Sequence, residues 1–187
     1  TYVFTQKGPL ATNAVEAMSF VRSHLAEKFN LVAEQPDLQF HFMTFGAEPN
    51  TPEVKMINVK KELVATCPNG MHICPTLLHP KSAGVLSLGS ADINDHPVID
   101  PRYYSDKRDV EVMAEGLRLA MKSTKAKAYK GLVKDTCVRP YLEDVLGAPK
   151  TFQGDKEEDL EIWRQVAQAS ATTVFHPVGT CKMGAKD

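Results

Sequence analysis

The sequence is short of several things that would narrow its role at once. Its four cysteines (67, 74, 137 and 181) are too few and too scattered for a disulfide framework. Neither sign of charge dominates: 22 basic residues face 23 acidic ones, a net charge of −1. That balance gives no electrostatic reason to expect nucleic acid or an anionic membrane as partner. No apolar run approaches the roughly 20 residues that span a bilayer. No predicted strand leads into G-x-G-x-x-G, the turn that seats a dinucleotide pyrophosphate at a helix N-terminus. Repeats and low-complexity tracts are absent as well. Thr1 to Gln6 shows none of the regions of a secretory leader, and without an initiating Met the chain reads as an excerpt of a longer one.

What is present is ordinary for a globular protein. Hydrophobic residues make up 43 % and charged ones 24 %, and 187 residues suffice for one domain with a real core. Gly8-Pro9 marks a turn, and residues 16–24 have no decisive periodicity. Leu38, Phe40 and Phe42 alternate with Gln39, His41 and Met43, which predicts a half-buried strand over Leu38–Phe45. Pro49 and Pro52 place 46–56 in a loop, and Asn69-Gly70 signals a tight turn. Further extended pieces are predicted at Met71–Leu78, Gly84–Leu88 and Pro97–Ile99. A helix capped by Ser105 or Asp106 follows, with Val110, Met113, Leu117 and Met121 on one stripe. A second helix is predicted from Asp155, with Glu158 completing a capping box and Leu160, Trp163, Val166, Ala167 and Ser170 facing inward. Its acidic first turn suits the helix dipole better than it argues for a partner. Strands joined by hairpin-scale loops, with helices clustered late, indicate an α+β fold.

The chemistry-bearing residues cluster near the end of the chain, in His176-Pro177-Val178-Gly179-Thr180-Cys181-Lys182-Met183-Gly184. A histidine titrates near pH 6.5 and so can take a proton at working pH. The following proline biases it toward extended backbone, and Gly179 can turn the chain at positive φ. The β-branched and aromatic run Thr172-Thr173-Val174-Phe175 predicts a strand ending at the histidine. On such a strand Val174 would share the His176 face. Two rival chemistries are weaker. Cys67, His72, Cys74 and His79 lack the two close pairs of a zinc knuckle, so no metal is expected. Cys181 lies near His176 without a third, orienting group, so no covalent role is expected. Cys67 and Cys74 bracket a turn and could also face each other across a hairpin.

Thr173 to Gly184 closely resembles the C-terminal motif of the glucose–methanol–choline (GMC) oxidoreductases. Pro80-Lys81-Ser82-Ala83-Gly84-Val85-Leu86-Ser87-Leu88 resembles that family's P-K-S-x-G-x-V/L-x-L block, and Pro97-Val98-Ile99-Asp100-Pro101-Arg102-Tyr103-Tyr104-Ser105-Asp106 resembles P-x-I-D-P-x-Y-L-S-D. Gly8-Pro9-Leu10 and Glu16 to Val21 add a third match. The wording is most similar to insect glucose-dehydrogenase-like members.

The resemblance implies an antiparallel sheet backed by helices, truncated here to the C-terminal substrate domain over residues 1–187, with the FAD-binding domain outside this chain. It implies a strand at Ala17–Ser23. It implies FAD as hydride acceptor, an alcohol or sugar as substrate, and a quinone or oxygen as final acceptor; secretion is compatible with it. His176 matches the family's active-site base, Gly179 and Thr180 would lie near the flavin, and Val174, Phe40 and His41 would line the substrate cavity. The family's second His or Asn would lie beyond Asp187. The chain alone is thus expected neither to hold FAD stably nor to turn over. The other reading is a non-catalytic ligand- or protein-binding module that keeps the same fold.

Overall fold

The computed structural model describes residues 5, 15–29, 34–44, 70–133, 139–144, 146–181 and 183–184. Three antiparallel strands form the main sheet in the order β1 (Val15–Val21), β2 (Leu38–Met43) and β3 (His72–Leu77). The region around Ala17 is therefore strand, as the family resemblance implied. In the centre, β2 shows why its alternation was readable. Leu38 and Phe40 are buried toward a helix, while Gln39 and His41 lie on the opposite, half-open face. Register puts His41 opposite Met18 on β1 and Cys74 on β3, and Gln39 opposite Phe20 and Thr76. The open face thus mixes the apolar Met18 and Phe20 with the polar Gln39, His41 and Thr76.

One corner of the sheet is fixed by Asp37, which is fully buried. Its carboxylate accepts from the Ser23 backbone N–H (2.6 Å) and the Ser23 hydroxyl (2.5 Å). Its backbone N–H donates to Val21 and its carbonyl accepts from Leu78, so all three strands meet there. The chain turns through α1 (Leu25–Lys28) beside that corner.

A second, two-stranded antiparallel sheet joins β4 (Val85–Ser87) to β5 (Val98–Asp100). It is exposed on both faces, and Leu88 and Ile93 in its connecting loop are almost wholly so.

The long helix α2 (Lys107–Thr124) starts at Asp106, whose carboxylate accepts the Arg108 N–H at 2.9 Å. The predicted stripe is half of what this helix buries. Leu117 and Met121 pack against Trp163, Phe152 and Leu142, while Val112, Leu119 and Ala120 pack against Leu38 and Phe40 of the sheet. Gly116 makes the close approach possible, because a Cβ there would stand 2.9 Å from Pro75 Cβ and 3.1 Å from Leu38 Cδ2. Short helix α3 (Arg139–Asp144) contributes Leu142 to the first of these clusters.

The last helix, α4 (Leu160–Ser170), begins later than predicted. A 3₁₀ turn over Glu157–Asp159 precedes it, and the Asp159 carboxylate accepts the Lys156 N–H. Asp155 caps nothing; Lys125 holds it at 2.5 Å and keeps its carboxyl below the usual carboxylate range. The inward face is as expected, with Trp163 donating to the Gly154 carbonyl at 2.8 Å and meeting Phe152 edge-on. Arg164 reaches back to Glu111 with two bonds, at 2.8 and 2.9 Å, tying α4 to α2.

The predicted strand at 172–175 does not form. Residues 171–174 carry no regular secondary structure, and Phe175 turns left-handed at φ 65°. β-branched residues favour strands only where a partner ladder exists, and local bonding wins here: the Phe175 N–H donates to the Thr173 hydroxyl at 3.0 Å. The Gly8-Pro9 turn, Asn69 of the Asn69-Gly70 turn, the 46–56 loop and Cys67 lie outside the described residues, while Cys74 is a free cysteine.

Candidate active site

His176 stands exposed on the segment that follows α4, with Phe175 and Val178 exposed on either side of it. Two glycines fix this segment. Gly179 takes φ 89°, which L side chains rarely adopt, and its carbonyl accepts the Gly84 N–H at 2.8 Å. Gly84 in turn presses against the end of β5, where a Cβ would lie 2.2 Å from the Asp100 carbonyl oxygen. The P-K-S-x-G block and the terminal histidine motif, far apart in sequence, are thus laid side by side.

His41 reaches the same neighbourhood from the open face of the sheet. Partial burial depresses its imidazole below the ordinary histidine value, and a positive charge on His176 depresses it further, against a backbone hydrogen bond at Cys74. The Thr76 hydroxyl and His41 Nδ1 lie 3.2 Å apart, a hydrogen bond that holds the ring. Along β3, burial also lowers His72 and pushes the Cys74 thiol up to about 11, so Cys74 stays protonated at neutral pH. Among the described residues no group of His, Cys, Asp or Glu is arranged to hold a metal ion.

The structure sorts the expected site residues. It brings His176 and His41 within electrostatic reach of each other, and Gly179 and Thr180 continue the His176 loop at partial exposure. Phe40 does not belong with them: at 4 % exposure it packs in the core against Val112 on the face opposite His41. Adjacent strand residues point to opposite sides, so only one of the two can face a cavity. Val174 is exposed, yet the left-handed Phe175 between it and His176 breaks the alternation that would have given them a common face. Thr76 was not anticipated, although its two-residue spacing from Cys74 on a predicted strand was a signal for it.

The GMC oxidoreductase family model matches residues 80–187, which holds both glycine contacts and His176. The chain belongs to the GMC oxidoreductases. The alcohol dehydrogenase [acceptor] of Pseudomonas putida is 29 % identical over 98 % of this chain and 28 % of its own length. Mitochondrial choline dehydrogenase of Homo sapiens is 30 % identical over 97 % of the chain and 25 % of its own. Glucose dehydrogenase [FAD, quinone] of Drosophila pseudoobscura pseudoobscura is 28 % identical over 89 % and 25 %. The chain therefore spans less than a third of each GMC relative, and their names cover alcohol, choline and sugar oxidation alike.

Proposed function

We propose that this chain supplies the substrate wall and the proton acceptor of an FAD-dependent oxidoreductase acting on the CH–OH group of an alcohol or sugar. The observation that carries the reading is that His41, on the open sheet face, lies close enough to His176 to feel its charge. Oxidising an alcohol requires its hydroxyl proton to leave as the α-hydrogen departs with its electron pair. A neutral imidazole within hydrogen-bond reach takes that proton, for about 10²–10⁴-fold in rate. His176, exposed on its loop, is assigned that role.

His41 supports it from the sheet. With its pKa lowered by burial and by the neighbouring His176, its neutral imidazole is available to bond the substrate oxygen. Met18 and Phe20, exposed beside it, offer an apolar floor.

The residues fit one face of a flavin ring rather than the whole dinucleotide. Phe175 and Val178 present apolar surface around His176, and Gly179 and Thr180 would hold the ring edge. When bound, the flavin supplies the acceptor for the hydride, which no side chain can be. A quinone or oxygen would take the electrons onward.

The test is His176→Ala in the full-length, flavin-loaded protein, assayed for flavin reduction by a panel of alcohols and sugars. A fall in kcat of about a hundredfold is expected. An unchanged rate refutes the assignment.

A further inference from the structure

We propose that Asp109 is a positioning residue for the His176 loop, an inference that rests on the reading of His176 as proton acceptor. Asp109 lies in the first turn of α2 and is only 2 % exposed. Its two carboxylate oxygens are both spent on another segment: one accepts the Lys81 N–H at 2.8 Å, the other the Ser82 N–H at 2.9 Å. The clasp is mutual, because the Ser82 hydroxyl accepts the Asp106 N–H at 3.1 Å. Two residues further along this strip, the Gly84 N–H donates to Gly179, three residues from His176. A Cβ on Gly179 would also stand 3.2 Å from the Ser82 carbonyl oxygen. The His176 loop therefore hangs from a short strip with two anchors, the end of β5 and the Asp109 carboxylate.

Helix capping does not account for Asp109. Asp106 already caps α2, and the Asp109 oxygens turn away from their own helix. Burying a carboxylate is costly unless its oxygens are bonded. Here the two N–H donors it meets are those of the P-K-S-x-G block. Asp109→Asn keeps the shape but replaces one acceptor by an amide donor, which meets an N–H head-on. The strip loosens, and the loop loses its aim.

The experiment compares Asp109→Asn, His176→Ala and the double variant in the flavin-loaded full-length protein. Asp109→Asn is expected to lower kcat per bound flavin by about 10- to 100-fold, the scale of a small misplacement of a reacting group, with KM for the alcohol little changed. Amide hydrogen exchange at 81–84 and at 176–180 should quicken together. The double variant should be no slower than His176→Ala alone, since the aspartate acts only through the histidine. Where Asp109→Asn gives no holoenzyme, Asp109→Glu, which keeps both acceptors one methylene further out, is read in the same way. A lower melting temperature with kcat per flavin unchanged overturns the proposal, as does a double variant slowed by the product of the two single effects. A slow His176→Ala beside an unslowed Asp109→Asn leaves the base in place and removes only the positioning role. An unslowed His176→Ala removes both.

Discussion

His41, in the middle of the central strand, feels the charge of His176, which arrives on the segment after the last helix. Two imidazoles so placed cannot both be protonated cheaply, so the pair holds one positive charge more readily than two. In His176→Ala the titration of His41, followed by NMR, should move upward toward the ordinary histidine value. A titration that stays where it is would mean that the two rings do not communicate.

Stability should fall on mild acidification. His41 and His72 both have folded-state pKa values lowered from 6.5, by burial first and, for His41, by His176 second. The unfolded chain then binds protons before the folded one does, and stability rises with pH wherever that holds. The contribution is complete above 6.5 and is lost as pH falls through the lowered values. Melting temperatures between about pH 7.5 and 5 should drop, and less steeply in the pair His41→Gln, His72→Gln. An unaltered slope would show that other groups carry the dependence.

Asp37→Ala should cost about 2–3 kcal/mol, since it leaves the buried Ser23 donors without their charged acceptor. Urea unfolding reads this directly. A loss below about 1 kcal/mol would mean that water replaces the carboxylate.

Gly116→Ala sets two effects against each other. Helix propensity favours alanine by about 1 kcal/mol. The added methyl, however, meets Pro75 at 2.9 Å and Leu38 at 3.1 Å, and overpacking costs about 1–3 kcal/mol. Packing should win, with a net loss of about 1 kcal/mol in thermal or urea unfolding. A stabilised variant would show that the helix can lift from the sheet without penalty.

Much of the scaffold was legible because its signals are local. Leu38 and Phe40 alternate with Gln39 and His41, Asp106 precedes an apolar-periodic run, and Trp163, Val166 and Ala167 share one helical face. The misses share another cause. Residues 172–175 have strand-like side chains but no strand, because a ladder partner is a property of the fold and not of the segment. The second buried face of α2 escaped notice since Gly116 and Ala120 are small, and small residues mark a close approach only once the neighbour is known. In the site, His176 stood out through its motif. Asp109 did not, because an acid in a first helical turn is usually explained by the helix itself.

The kink at Phe175 has a bearing on how the terminal signature travels between proteins. The imidazole owes its outlook to a reversed backbone twist just before it and to a glycine clamp borrowed from residue 84, neither of which resides in the nine letters that begin at His176. Transplanting those letters onto the tip of an unrelated ribbon would carry over the alphabet and leave the aim behind.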